Sequence, residues 1–401
     1  MPDCLMPPRR PASRKLPSPD SAARAISDRL LKQIQHEIVQ AGGHIPFDRF
    51  MEMALYAPGL GYYTAGSRKF GEAGDFITAP EISSLFAQCL ARQAREVLAL
   101  LEGGDILEFG GGSGVLAADL LTELERLDAL PANYLIMEVS PDLQQRQLET
   151  LRHQVPELAS RVRWLDRLPE SFSGLVLANE LLDAMPVSRF RVGHTGPQEC
   201  FVTQSAQGLC EIFQQPITPG LTEAVRAIEA SIGGLAPGYV SELNLRQGPW
   251  LHALAGMLQQ GAVLLIDYGY PQGEYYHPQR STGTLMCHYR HRAYPDPFVW
   301  VGLQDITSHV DFTALARIGQ RAGFELAGYT TQAHFLLATG LDEIIADSDP
   351  NDLRRHMQLV QELKRLTLPS EMGERFKVLG LLKGLDRRLR GFLLRDLRER
   401  L

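Results

Sequence analysis

The sequence predicts an α/β protein built on a Rossmann-like, doubly wound sheet, and three observations carry that expectation. The first is Asp105-Ile-Leu-Glu-Phe-Gly-Gly-Gly-Ser-Gly114, a short apolar run that enters a glycine-rich turn and then a helix through 115–121. The second is an acid, Glu138, that ends the next apolar run, Tyr134-Leu-Ile-Met-Glu138. The third is the alternation of strand-like and helix-like stretches that follows, with strands expected at 105–109, 134–138, 162–165, 174–178 and 262–267.

The elements are justified in chain order. Residues 1–20 hold six prolines and four basic residues and no apolar stretch, so a disordered tail is expected. A helix begins near Ser21, and a second follows Gly42-Gly43, where apolar residues recur at helical spacing from Ile45 to Leu55. Thr78-Ala-Pro-Glu81 has the form of a capping box, with Thr78 capping and Glu81 reaching back. The helix after it carries one apolar face through Ile82, Leu85, Phe86, Cys89, Leu90, Val97 and Leu101, and Gly103-Gly104 ends it. Together 21–103 form an expected N-terminal helical cap, followed by the first half of the core at 104–184. From Ala178 to Ala262 is 84 residues, far more than the dozen or so that a parallel crossover requires. An insertion at 185–260 is therefore expected between the fourth and fifth strands, a β-meander (188–192, 199–202, 210–213) followed by helices near 220–231 and 247–259. The second half of the core is placed at 261–384, with strands near 326–330 and 375–379 around a helical excursion at 340–368. The last stretch, 385–401, has leucines and Phe392 at helical spacing and six arginines against three acids, which predicts a basic C-terminal helix.

Composition bounds the function. Hydrophobic content of 44% and charged content of 22% describe an ordinary soluble globular protein, and a net charge of −7 gives no sign of nucleic-acid binding. The five cysteines are scattered, odd in number and without a Cys-x-x-Cys pair, which argues for a reducing compartment and against a zinc cluster. No apolar run approaches the roughly 18 residues that span a membrane.

The glycine loop and the two acids describe a nucleoside pocket. Glycines let the backbone approach a ligand closely, and a carboxylate at the end of the second strand accepts hydrogen bonds from two ribose hydroxyls. A dinucleotide fingerprint is poorly matched. Counted from Gly110 its sixth position is Val115, and counted from Gly112 it is satisfied by Ala117 but the turn starts late. Glu108, two residues before the first glycine, suits S-adenosylmethionine better, because a carboxylate there can face sulfonium and amino groups. A nicotinamide dehydrogenase remains an alternative.

After the fourth strand comes Leu177-Ala-Asn-Glu-Leu-Leu-Asp-Ala-Met-Pro186. Asn179 offers a donor and an acceptor, and Glu180 and Asp183 accept when ionised. A guanidinium acceptor needs such carboxylates to pair with its charge and help a proton leave. The competing reading is that Asn179 and Asp183 cap the following turn. Asp166, after the third strand, stands where the adenine end of such a pocket commonly lies, or is a turn-forming aspartate. His288 and His291 are weak evidence for a metal, and none is expected.

With these residues assembled, the chain resembles the MidA-like family of class I S-adenosylmethionine methyltransferases, which includes a mitochondrial protein-arginine methyltransferase that helps assemble respiratory complex I. The resemblance runs from about Ile45 to Gly384. It rests on Phe50-Met-Glu-Met-Ala-Leu-Tyr56 with Gly61-Tyr-Tyr63, Phe70-Gly71, Gly74-Asp-Phe-Ile-Thr-Ala-Pro-Glu-Ile-Ser83, Glu108-Phe-Gly-Gly-Gly-Ser-Gly114 and Glu138-Val-Ser-Pro141. Further on it includes Asn179-Glu-Leu-Leu-Asp-Ala-Met-Pro186, Asp267-Tyr-Gly269, Tyr289-Arg-His-Arg292, Asp305-Ile-Thr-Ser-His-Val-Asp-Phe312 and Leu368-Pro-Ser-Glu-Met-Gly-Glu-Arg-Phe-Lys377. Gly111 departs from it, since several members carry proline there, and the arginine-rich end has no counterpart. The resemblance implies a class I methyltransferase sheet under a helical cap, S-adenosylmethionine as cofactor, and a protein arginine as acceptor, with the large hydrogenase-like subunit of complex I as one candidate. The expected cofactor-binding set is Thr78, Glu108, Gly110, Gly112, Gly114, Glu138 and Asp166, and the expected catalytic set is Asn179, Glu180 and Asp183. A non-catalytic assembly factor and a small-molecule methyltransferase are the alternatives. A cytoplasmic location is expected, with the mitochondrial matrix as the alternative.

Overall fold

The computed structural model describes residues 16–65, 78–347 and 352–401. Most of the expected N-terminal tail, Phe70-Gly71 and Gly74 to Ile77 lie outside them. The chain divides into two compact units, Met1–Phe76 with Asp183–Gln247 and Gln272–Asp311, and Ile77–Leu182 with Gly248–Pro271 and Phe312–Leu401.

The first unit opens with α1 (Ser21–Gln40), whose first turn is capped by Asp20 accepting from Ala23 N, and α2 (Phe47–Tyr56). The expected meander is present as Ser188–Gly193, Gly196–Ser205 and Gly208–Gln214, all antiparallel. His44–Pro46 and Val240–Leu243 complete that sheet, and a three-stranded sheet is formed by Arg292–Tyr294, Met286–Tyr289 and Asp305–Thr307. Leu30, Ile34, Phe50, Met51, Val202 and Ile306 meet in its core. The described helices of 21–103 do not fall in one unit. Helices α1 and α2 belong to this unit, whereas α3 (Ala79–Ile82) and α4 (Ser84–Leu100) belong to the other.

The second unit is the doubly wound sheet. Its strands are β1 (Asp105–Phe109), β2 (Tyr134–Met137), β3 (Val162–Leu165), β4 (Phe172–Asn179), β5 (Leu258–Tyr270), β6 (Glu325–Thr331) and β7 (Phe376–Lys383). They lie in the order β3-β2-β1-β4-β5-β7-β6. The first five are parallel, and β7 runs antiparallel to both β5 and β6. Apolar residues on both faces explain why β1 and β4 are central: Ile106, Leu107, Leu175, Val176 and Leu177 are all buried. From β1 the chain winds outward through β2 to β3, then returns to β4 on the opposite side of β1. The carboxyl ends of β1 and β4 therefore flank a topological switch point, the place where such sheets bind ligands.

Helix α4 is capped by Ser83, whose hydroxyl accepts from Leu85 N at 3.1 Å, and it buries Leu85, Phe86, Cys89, Leu90 and Val97 as its spacing predicts. Helices α5 (Val115–Arg126) and α6 (Pro141–Gln154) follow β1 and β2, and Ser140 with Pro141 starts α6. The capping box at Thr78 is not formed. Thr78 precedes α3 without a side-chain cap bond, and Glu81 instead accepts from the Ser113 hydroxyl of the glycine loop.

The expected C-terminal helix at 385–401 is also absent, and short 3-10 turns at Arg390–Phe392 and Arg398–Arg400 stand in its place. Tertiary contacts override the helical spacing. The Phe392 ring lies so close over Gly328 and Gly380 that a Cβ on either glycine would stand 2.2 or 2.6 Å from it. Leu397 N bonds the carbonyl of Tyr329 on β6, and Arg398 donates to Leu326 O at 2.7 Å. A helix would withdraw these groups from the sheet edge.

Candidate active site

Glycines turn the chain at the end of β1. Gly110, Gly112 and Gly114 have φ of 69°, 54° and 86°, a left-handed conformation that other residues adopt only with strain. Their surroundings differ. A Cβ at Gly114 would stand 2.9 Å from the Gln147 Cα, whereas a Cβ at Gly112 would meet nothing within 4 Å. Gly114 is thus required by helix packing and Gly112 faces open space. Gly111, which replaces the family proline, faces Ile136 and the Gln147 amide.

Below the turn, Glu108 is fully buried, and the Tyr134 hydroxyl donates to its Oε2 at 2.8 Å. Burial pushes its carboxyl up to about 7; the Tyr134 bond opposes this and the Glu138 charge adds to it. Glu138, just past β2, accepts from Ser140 N at 2.9 Å and from Gln147 Nε2 at 3.1 Å, while Gln144 bonds its carbonyl. Thr150 on α6 donates to Ser113 O at 2.8 Å. Gln147, Gln144 and Thr150 escaped the sequence reading. Their roles come from the packing of α6 on the loop, and only the helical repeat 144, 147, 150–151 hinted at a shared face.

Across the switch point, Asn179 ends β4, and Glu180 has φ +51°, uncommon for a non-glycine residue. The Glu180 Oε1 accepts from Asn179 Nδ2 and from Ala79 N, both at 3.4 Å, and Glu180 N donates to Ile266 O of β5 at 2.9 Å. The Asn179 Oδ1 is buried without a hydrogen-bond partner. Asp267, fully buried in β5, accepts from Leu182 N at 2.9 Å and so pins this loop. A Cβ at Gly110 would lie 3.3 Å from Leu181, which brings the two loops side by side.

Thr78, next to Ala79, is thus placed near Glu180, with the glycine loop and Glu138 in the same unit. Asp166 lies exposed just beyond β3. Asp183 belongs to the first unit, where its carbonyl accepts from Ser308 N at 3.0 Å and its carboxyl is buried. In that unit Tyr63 donates to Asp305 Oδ1 at 3.0 Å and stacks on Tyr56; burial and the charges of Asp305 and Asp183 push its phenol well above the usual range. His288 lies on a strand of the three-stranded sheet, where burial lowers its pKa, and Arg290 and His291 form a left-handed turn beside it. Among the described residues no group of three or more His, Cys, Asp or Glu side chains is gathered as metal ligands. Among them, too, no helix is long and apolar enough to cross a membrane.

The site fits a nucleoside carrying a cation. Gly112 leaves room beside the turn, Glu138 stands just past β2 with its carboxylate held by Ser140 N and Gln147, and the buried Asn179 Oδ1 has no donor. Comparison with known proteins agrees. Residues 89–330 match a family model described as "Putative S-adenosyl-L-methionine-dependent methyltransferase". A crystal structure from Burkholderia thailandensis, bound to S-adenosyl-homocysteine, is 44% identical with a TM-score of 0.92, over 96% of this chain and 100% of that one. The mitochondrial protein arginine methyltransferase NDUFAF7 homolog of Drosophila melanogaster is 28% identical over 94% of this chain and 90% of its own. Protein arginine methyltransferase NDUFAF7, mitochondrial, of Mus musculus is 28% identical over 88% and 84%.

Proposed function

We propose protein-arginine N-methylation for this chain, which belongs to the MidA-like family of class I S-adenosylmethionine-dependent methyltransferases. The chain is an enzyme of that class, and S-adenosylmethionine is its cofactor. That cofactor supplies an electrophilic methyl group.

In this reading Glu138 accepts the ribose hydroxyls, and the backbone at Gly110 and Gly112 lies against the nucleoside. Glu108 is the buried acid beneath it, Asp166 lies toward the base, and Thr78 borders the opening. The single observation that carries the acceptor assignment is the carboxylate of Glu180. It is held at the switch point on a left-handed backbone, with Asn179 and Ala79 as its neighbours. A carboxylate so placed pairs with a guanidinium, orients one nitrogen and accepts its proton at Oε1 or Oε2. The free Oδ1 of Asn179 accepts a guanidinium N–H. Alignment of the two reactants supplies much of the acceleration in such a displacement.

The names of the curated relatives support a protein acceptor, and the family resemblance suggests a subunit of respiratory complex I. Those relatives are named mitochondrial, which fits the matrix alternative and lends the cytoplasmic expectation no support. A scaffold that binds no cofactor has no need of a ribose acceptor at Glu138. The test is methyl mapping of the whole proteome with and without the gene. Loss of methylarginine from one or a few proteins supports the proposal, and an unchanged methylarginine map overturns it.

A further inference from the structure

We propose that Gln147 is a positioning residue that sets both the ribose-accepting carboxylate of Glu138 and the glycine loop for the nucleoside. The inference rests on the reading of Glu138 given above and names the device that makes that carboxylate usable. Gln147 is fully buried on α6, and its side chain bonds the glycine loop, Glu138 and Trp164. Its Nε2 donates to Gly112 O at 3.1 Å and to Glu138 Oε2 at 3.1 Å, and its Oε1 accepts from the Trp164 indole at 2.7 Å.

The indole fixes the direction of this network. An indole N–H can only donate, so the oxygen of the Gln147 amide must face Trp164. Both amide hydrogens are thereby turned to the other side, where two acceptors wait. Trp164 therefore acts as a key for the amide, and the amide in turn ties the end of β2 to the turn after β1. Gly112 is the glycine whose Cβ position looks into open space, so its carbonyl is fixed where the backbone borders the room for a ligand. The other Glu138 oxygen accepts from Ser140 N, so both oxygens have set directions. Gln147 acts through Glu138 and Gly112.

A residue of merely structural value and a positioning residue differ in what their variants do to binding. The full chain is titrated calorimetrically with S-adenosylhomocysteine in wild type, Glu138→Ala, Gln147→Met and Gln147→Glu. Gln147→Met keeps the volume and removes the amide, and it is expected to weaken binding about ten-fold or more. Gln147→Glu sets two carboxylates against each other and against the Gly112 carbonyl. Its affinity relative to wild type is expected to be poorest at pH 8 and to recover toward pH 5.5, as the pair takes up a shared proton. The ratio to wild type is read at each pH because Glu108 titrates in the same range. Normal affinity in Glu138→Ala sinks the reading of Glu138 itself. Weak binding in Glu138→Ala with near-normal binding in Gln147→Met sinks the role of Gln147 alone. Should Gln147→Met fail to fold, a Gln147→Glu ratio flat with pH overturns the proposal, and a rising one supports it.

Discussion

Glu108 shows how one residue carries opposed demands. Its carboxyl is pushed from an ordinary 4.5 to about 7, first by burial. Folded protein then holds this proton more tightly than the unfolded chain does. The stabilisation is fully present below pH 4.5 and is lost as pH rises through 7. The span corresponds to a loss of order 3 kcal/mol by linkage. Glu108→Gln keeps an acceptor for the Tyr134 hydroxyl and cannot ionise. It is expected to melt above wild type at pH 8, with the difference closing toward pH 5; parallel melting curves across that range would show that Glu108 does not titrate there. Residues of this kind were legible where their meaning is local: Glu108 stands two places before a glycine turn, and Glu138 ends an apolar run. Gln147 was not legible, because nothing in its neighbours says that Trp164, seventeen residues on, fixes its amide.

At the scale of elements, the glycine turn separates binding from folding. The Cβ of Gly112→Val meets open space, so its cost to the fold is expected to be mainly that of the left-handed backbone, about 1–3 kcal/mol, while its side chain would enter the proposed nucleoside room. Gly114→Ala bears the same backbone cost and drives a Cβ to within 2.9 Å of α6. Melting of the ligand-free proteins is expected to fall further for Gly114→Ala, whereas calorimetric titration is expected to show no nucleoside binding to Gly112→Val. The reverse order would exchange the two roles. The C-terminal stretch makes the complementary point. Its leucine and phenylalanine spacing is helical, and the chain instead lays Phe392 over two glycines of β6 and β7. Phe392→Ala is expected to cost about 3–5 kcal/mol, as for a buried aromatic elsewhere, and denaturant unfolding measures it. Spacing reports local preference and does not see Gly328 or Gly380, which lie sixty-four and twelve residues away.

At the scale of the whole molecule, the strands of the doubly wound sheet were legible because parallel strands buried on both faces read as short apolar runs between helices. The insertion was legible from the distance between the fourth and fifth strands. How the chain is shared between two units was not, since contact between distant segments decides it. Helices α1 and α2 join the meander, and α4 joins the sheet. The proposed chemistry depends on where the sheet reverses its strand order, with Glu180 after β4 and the glycine turn after β1. The most direct test of that claim uses protein extract from cells lacking the gene, S-adenosylmethionine labelled in its methyl group, and purified wild type or Glu180→Gln. Label is expected in methylarginine with wild type and is expected to fall at least ten-fold (roughly 1.4 kcal/mol or more) with Glu180→Gln, whose affinity for S-adenosylhomocysteine stays near wild type, as expected for a residue that acts on the acceptor. Label recovered in residues other than arginine, or equal labelling by the two proteins, would contradict the account.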